Sequence, residues 1–304
     1  MAKRGLFDGE GVDPVFESAR RAEHERSAQA RVHCEELWKI FEPYADEDFP
    51  NRIRTNFHSC YWEMHLATYF ILKGADVLAP KPGPDIGIVW NGRKIWFECV
   101  CPTRGDEGTQ DFVPPLVMGK VYEIPNEKLV LRYLNSVHQK TLVQYPRWRE
   151  NGAVAEGDAY VVAINPVLLQ HEWGGDSIPP RLLLAAYPVG PPFVSFSRET
   201  LEVSEVGYRT RTGIKKASGS DVATGVFDNP DYRVLSGLLC SRVNVANNHP
   251  EYLGADFQLA PNPRAAVLLP DEFRLDGTYF QFAQSDEDYT VTPIETAFTP
   301  SSKM

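Results

Sequence analysis

The chain has 304 residues, of which 43% are hydrophobic and 24% are charged, and its formal net charge is −10. This length is enough for one large or two smaller domains with a hydrophobic core, and the composition is that of a folded globular protein. The acidic balance disfavours a protein that coats nucleic acid with its whole surface, but it is compatible with a metal-dependent enzyme whose site concentrates carboxylates.

No apolar run approaches the ~20 residues that span a bilayer, and the first residues lack the apolar stretch of a secretory signal. We therefore expect no membrane partner and a cytoplasmic location. Five cysteines without a CxxC spacing disfavour both a disulfide framework and a structural zinc site.

Two helices are predicted near the start of the chain. Residues 13–42 have a long charged helical pattern with few apolar positions in its middle, which predicts one mostly exposed helix. Residues 54–73 form a second helical pattern that ends before Gly74, a typical C-cap residue. Glu63 falls on the apolar stripe of this second helix, where an acid needs a partner. A structural salt bridge and a functional site both satisfy that need.

A β-hairpin is predicted at residues 83–102, after a short strand at 76–80. The turn is Asn91-Gly92, the strongest short signal for a two-residue hairpin turn. The pairing that follows from this turn places Asp85 opposite Glu98, with Cβ atoms ~5 Å apart. Like charges at that distance are destabilising, so a shared cation is one interpretation and a solvated outer face is the other.

The chain then enters an irregular stretch at residues 103–126, which is long enough for a lid or a binding loop. A helix is predicted at 126–144, with Asn126 as its N-cap and Pro146 ending or kinking it. Along this helix a polar ridge recurs every four residues, formed by Arg132, Ser136, Lys140 and Gln144. The apolar residues 158–165 then predict a buried strand.

The remainder of the chain is predicted to be β-rich with many loops. The predicted strands are 201–206, 234–245, 256–259 and 265–269. Residues 207–220 read as a basic, glycine-containing loop, and a frayed tail is predicted from about residue 290.

The order of these elements resembles the PD-(D/E)xK nuclease superfamily. Pro84-Asp85 is similar to the PD motif, Glu98 to the second acid, and Glu63 to the acid that many members have on the first core helix. The resemblance covers residues 54–165. It implies an α/β (α+β) fold with a restriction-endonuclease-like core of a helix, three strands, a helix and a strand.

The implied organisation has three parts: a helical N-terminal arm at 1–50, the nuclease-like core at 51–166, and a β-rich extension at 167–304 packed on the core. The sequence departs from the motif at one position. The lysine expected two residues after Glu98 is replaced by Val100, and Lys140 on the following helix matches the position to which some members move it.

The activity implied by the resemblance is metal-dependent hydrolysis of phosphodiester bonds, with DNA as the expected nucleic-acid partner. Mg²⁺ or Mn²⁺ would be held by Asp85, Glu98, the backbone carbonyl of Cys99 and Glu63. A homodimer is one of the assemblies that the resemblance allows.

Lys140 would orient the attacking hydroxide or stabilise negative charge on the phosphate. Arg132 and Gln144 are candidates for substrate contacts. Because Val100 replaces the motif lysine, the alternative is a catalytically degenerate nuclease fold that binds nucleic acid or protein.

Overall fold

The computed structural model describes residues 5–78, 82–109, 111–117, 119–121, 123–173, 175–215, 221–246, 252–284 and 289–298. They form a mixed α/β fold in which helices pack against a large mixed sheet. No helix of this part of the chain is long and apolar enough to cross a membrane.

The α-helices are α1 (Pro14–Arg21), α2 (Glu25–Phe41), α3 (Phe49–Arg52), α4 (Phe57–Leu72), α5 (Asn126–His138), α6 (Tyr145–Glu150) and α7 (Arg181–Ala186). The strands are β1 (Asp76–Leu78), β2 (Ile86–Trp90), β3 (Arg93–Val100), β4 (Ala159–Ile164), β5 (Val189–Phe196), β6 (Val203–Thr210), β7 (Gly213–Lys215), β8 (Asp221–Ala223), β9 (Gly237–Cys240), β10 (Gln258–Pro261), β11 (Gly277–Gln284) and β12 (Tyr289–Thr296). Short 3₁₀ helices occupy Glu42–Tyr44, Val167–Leu169, Val226–Asp228 and Pro230–Tyr232.

The main sheet has eight strands in the order β1-β2-β3-β4-β9-β10-β11-β12. Strands β1, β2 and β3 are antiparallel neighbours, whereas β3, β4 and β9 run parallel to one another. The sheet continues through β10, β11 and β12 with antiparallel, parallel and antiparallel pairings. Strands β5 and β6 form one separate hairpin, and β7 and β8 form another.

The two faces of the sheet are covered by different helices. Alternate side chains of β3 point to opposite faces, so that Ile95 and Phe97 pack with α1, α2 and α4, while Trp96 packs with α5 and α7. Strand β4 is buried on both faces, as the apolar run at 158–165 predicts. The central strands therefore lie between two helical layers.

The predicted hairpin is confirmed in its turn and its register. Asn91 has a φ of 48° and Gly92 a φ of 75°, and both values belong to the left-handed region that this turn requires. The pairs run from Trp90↔Arg93 to Ile86↔Phe97, as the turn dictates.

The helical pattern at 13–42 is not one mostly exposed helix. It divides into α1 and α2 at Ala22, whose φ is 51°. Within α2 the apolar side chains are three or four residues apart, which places them on one stripe of the helix. This stripe is buried in the core beside α4 and comprises Ala30, Cys34, Leu37, Trp38 and Phe41.

Pro146 does not end the helix predicted at 126–144. Helix α5 continues into a π-helical segment, Gln139–Gln144, and then into α6, where Pro146 lies in the first turn. The π-helical segment lengthens the backbone hydrogen bonds from i−4 to i−5, as the bond from the N–H of Tyr145 to the carbonyl of Lys140 shows, and the proline follows directly after this change of register. Asn126 is not the N-cap either, because its side-chain oxygen accepts a hydrogen bond from Arg181.

The second half is only partly as predicted. The predicted strand at 265–269 and the frayed tail from 290 are wrong, since the first is a loop and the second contains β12. The basic stretch 207–220 contributes to β6 and β7, and residues 216–220 lie outside the described part of the chain. Residues 79–80 of the predicted short strand also lie outside it.

Candidate active site at the Asp85–Glu98 hairpin

Asp85 and Glu98 lie at the same end of the hairpin. Asp85 directly precedes β2, and its Oδ2 accepts a hydrogen bond from the backbone N–H of Cys99 at 2.7 Å. Glu98 is the neighbouring residue on β3, and its side chain is buried on the face covered by α5. The bond from Cys99 therefore fixes one carboxylate beside the strand that carries the other.

Lys140 contacts Glu98 directly. Its Nζ lies 2.7 Å from Oε1 of Glu98 and 3.1 Å from Oε1 of Gln144. The second oxygen of Glu98, Oε2, accepts a hydrogen bond from Nε1 of Trp148 at 3.1 Å. Only 1% of Glu98 is exposed, so this ion pair lies inside the protein rather than on a solvated helix ridge.

Glu63 is paired with an arginine. Nη1 of Arg52 lies 3.0 Å from Oε2 of Glu63, and Nη2 lies 3.1 Å from Oε1, which makes a two-pronged contact. The same Nη2 donates to Asp46 at 2.8 Å. Glu63 is only 6% exposed, so it is a buried acid. Arg52 is the partner that such an acid on the apolar stripe of a helix needs.

The three acidic side chains influence one another's ionisation. Burial raises the pKa of Glu63 to about 8 and that of Glu98 to about 7, and the charge of Asp85 adds to the rise in both. Burial also raises the pKa of Asp85, against the opposing charges of Lys140 and Arg52. Like charges brought together in a poorly solvated place resist ionisation, which an added cation would relieve.

Lys140 keeps its positive charge. Burial by itself would lower its pKa, but the charges of Glu98 and Asp85 outweigh burial and raise the pKa above the usual value. The residue is therefore an ammonium ion at neutral pH, and it can stabilise an anion but not accept a proton.

The carboxylate oxygens at this end of the hairpin provide some of the ligands that a hard cation such as Mg²⁺ needs. Asp85 has no lysine, arginine or histidine within ion-pair distance among the described residues. Each oxygen of its neighbour Glu98 already accepts one hydrogen bond, from Lys140 or Trp148, and has a second lone pair for a further ligand. Mg²⁺ keeps several waters and needs only one or two carboxylates, so these two residues fit it. Within the described residues, at this site and elsewhere, there is no group of three or more His, Cys, Asp or Glu side chains that could hold a metal ion.

The remaining predicted residues divide between the site and its surroundings. Gln144 reaches Lys140, whereas Arg132 is directed to the loop that follows β3. The Arg132 guanidinium donates to the carbonyl of Thr103 at 2.7 Å and pairs with Asp111 at 2.8 Å. Val100 offers no charged group, so Lys140 is the lysine that the structure brings to Glu98.

Arg52 and Trp148 are site residues that the sequence did not reveal. The signal for a cation near Glu63 was present, because a buried acid requires a partner, but nothing in the sequence indicated which cation. Trp148 follows Pro146, where the helix was expected to end or kink, so its approach to Glu98 was not predicted.

Comparisons with known proteins identify no relative. No protein-family model matches the chain, and neither the curated proteins nor the solved structures compared with it give a match.

Proposed function

We propose that the chain is a nuclease that hydrolyses phosphodiester bonds of DNA and requires Mg²⁺ or Mn²⁺. The observation that carries the proposal is the 2.7 Å contact between Lys140 and Glu98, beside a carboxylate, Asp85, that has no cation partner among the described residues. The succession α4, β1, β2, β3, α5, β4 supports a restriction-endonuclease-like core, since the elements follow in that order.

Asp85 and Glu98 would hold the divalent ion, which when bound supplies charge neutralisation at the phosphate and activation of a water molecule. The Cys99 N–H keeps Asp85 in place through its bond to Oδ2. Trp148 and Lys140 each engage one oxygen of Glu98, which fixes the orientation of that carboxylate. A site held in this way needs little reorganisation during the reaction.

Lys140 would stabilise the negative charge that develops on the phosphate. Its raised pKa keeps the ammonium protonated, so its role is that of a fixed cation rather than of a general base. Gln144 accepts one of its hydrogen bonds and so helps to direct it.

The test is cleavage of single-stranded DNA, double-stranded DNA and RNA in the presence of Mg²⁺, Mn²⁺ or EDTA. The wild type is expected to cleave DNA with either metal and not with EDTA. Asp85→Asn is expected to be inactive, while the matched control Asp76→Asn, an exposed residue of β1, cleaves normally. Equal cleavage by Asp85→Asn and the wild type would refute the proposal.

A degenerate nuclease fold that only binds a partner is the competing proposal. Val100 in place of the motif lysine and the arginine on Glu63 both favour it. DNA binding without cleavage under every metal condition, by protein that is folded, would decide for this alternative.

A further inference from the structure

Lys140 and Trp148 reach Glu98 from positions that a regular α-helix would not align. They are eight residues apart, and in an α-helix this spacing turns the second side chain by about 80° from the first. The π-helical segment Gln139–Gln144 adds one residue to a turn between them. The spacing then acts as one of seven residues, which leaves the two side chains within about 20° of each other, so that both face Glu98.

The carbonyl of Lys140 is the point at which this register is held. It accepts a hydrogen bond from the backbone N–H of Tyr145, five residues later, which is the bond of a π turn. It also accepts a hydrogen bond from the hydroxyl of Tyr160 at 3.1 Å. Both lone pairs of the carbonyl oxygen are therefore engaged. Tightening the turn to the bond of an α-helix would redirect this carbonyl and weaken the bond from Tyr160.

Tyr160 is a fixed donor for this bond. It lies on β4 and pairs with Trp96 of β3, two residues from Glu98 on the same face of the sheet. Its side chain is buried, and the ring of Tyr145 meets it edge-on with the ring centres 4.8 Å apart. A buried tyrosine hydroxyl needs a partner, and the partner of this one is the residue that carries the ammonium ion of the site.

Tyr187 shows that such a bond is by itself ordinary. It is also buried, in the same core, and its hydroxyl donates to the carbonyl of Pro261 at 2.9 Å. Pro261 belongs to β10, which is three strands away from β3 in the sheet. The feature that distinguishes Tyr160 is therefore the place of its acceptor, inside the π-helical segment and on Lys140 itself.

We propose that Tyr160 is a positioning residue, whose hydroxyl holds the π-helical register that brings the Lys140 ammonium and the Trp148 indole to the two oxygens of Glu98. The alignment does not depend on what the site does. Its consequence for cleavage rests on the proposed function, because that function gives Lys140 its role at the phosphate.

The test compares Tyr160→Phe with the wild type and with Tyr187→Phe, each as the full chain with isotope-labelled tryptophans. Both variants remove one buried hydroxyl and keep the ring. The indole N–H of Trp148, assigned by nuclear magnetic resonance with Trp148→Phe, should exchange with water about tenfold faster or more in Tyr160→Phe, because it loses Glu98 as its acceptor. In Tyr187→Phe it should stay within about twofold of the wild type.

Two results of this comparison would overturn the inference. One is wild-type exchange of the Trp148 indole in Tyr160→Phe. The other is equal acceleration in both variants, which would show a general loosening of the core. If Tyr160→Phe does not fold, the wild type decides: its Tyr160 hydroxyl proton, identified by its proximity to the Tyr145 ring, should exchange slowly, and exchange as fast as that of an exposed tyrosine contradicts the bond.

Cleavage kinetics separate this inference from the proposed function. With DNA and Mg²⁺, Tyr160→Phe should lower kcat about tenfold and leave KM within about twofold, because the misdirected cation acts mainly on the transition state. Tyr187→Phe should match the wild type. Faster indole exchange with unchanged kcat refutes the role of Lys140 at the phosphate and leaves the alignment standing. If the wild type cleaves no DNA, the proposed function fails, and the indole exchange still decides the role of Tyr160.

Discussion

At the scale of single residues, Asp85 affects the ionisation of both glutamates of the site. Its charge raises the pKa of Glu63 on one side and of Glu98 on the other, in addition to the effect of burial. Each glutamate has an ion-pair partner, Arg52 or Lys140, whereas Asp85 has none among the described residues. The carboxylate that acts on both glutamates is therefore the one without an ion-pair partner in the described part of the chain.

The raised pKa values give a pH dependence of stability that Asp85→Asn should reduce. Both glutamates have folded-state pKa values above the usual 4.5, so between about pH 4.5 and about pH 8 these two side chains hold more protons in the folded chain than in the unfolded chain. Their contribution to the free energy of unfolding therefore falls as the pH rises through this window. Asp85→Asn removes one cause of the rise in both glutamates and also the raised pKa of Asp85 itself, so the fall should be smaller by ~1–2 kcal/mol.

Urea unfolding at pH 5, 6, 7 and 8 measures this difference. Other buried acids, such as Glu172, contribute equally to the wild type and the variant and cancel when the two are compared. Asp76→Asn, which changes an exposed acid, should keep the wild-type slope. An Asp85→Asn slope as steep as the wild type's would show that Asp85 does not act on the two glutamates.

At the scale of secondary-structure elements, the π-helical segment Gln139–Gln144 determines where Lys140 lies. This segment lies between α5 and α6, so one continuous helical stretch delivers Lys140 and Trp148 to the two oxygens of Glu98. Single π turns inside α-helices are often found at functional sites. Here Pro146 follows directly after the change of register in this segment.

Arg132 has a different role at this scale, since it anchors the loop between β3 and α5. Arg132→Ala should speed amide hydrogen exchange in residues 103–109 and 111–113 by about tenfold or more, because the charged hydrogen bonds to Thr103 and Asp111 are lost. Mass spectrometry of exchange would measure the effect, and Lys128→Ala on the same helix is the control. Unchanged exchange with weakened DNA binding would instead make Arg132 a substrate contact.

The whole molecule is organised around one sheet that both halves of the chain build. Strand β3 from the first half pairs with β4 from the second, β4 pairs in turn with β9, and β10 to β12 extend the same sheet to its far edge. The hairpin with the candidate site lies toward the opposite edge, next to β1. The second half therefore supports the strands of the site through the sheet.

The sequence predicted best where local rules decide the structure. The turn at Asn91-Gly92 fixes the hairpin register, and the two-residue period of a strand then places Asp85 and Glu98 without further information. The buried strand β4 and the end of α4 before Gly74 follow from similar local signals.

Contacts between distant segments could not be predicted in this way. The pairing of Arg52 with Glu63 depends on how α3 docks beside α4. Pro293 within β12 disfavours a strand in the sequence, and the strand forms by pairing with β11. The error at Pro146 had a local cause, because one extra residue per turn changes where a proline is accepted.

Cleavage of double-stranded DNA by Lys140→Met, compared with the wild type and Lys94→Met, tests the central claim most directly. Lys94 is an exposed lysine of β3, the strand that carries Glu98, so it is a matched control. With Mg²⁺ present and circular dichroism confirming that each variant is folded, Lys140→Met should cleave ~100-fold more slowly or worse, because a fixed cation at the phosphate is lost. Lys94→Met should match the wild type. Cleavage by Lys140→Met at the wild-type rate would contradict the account.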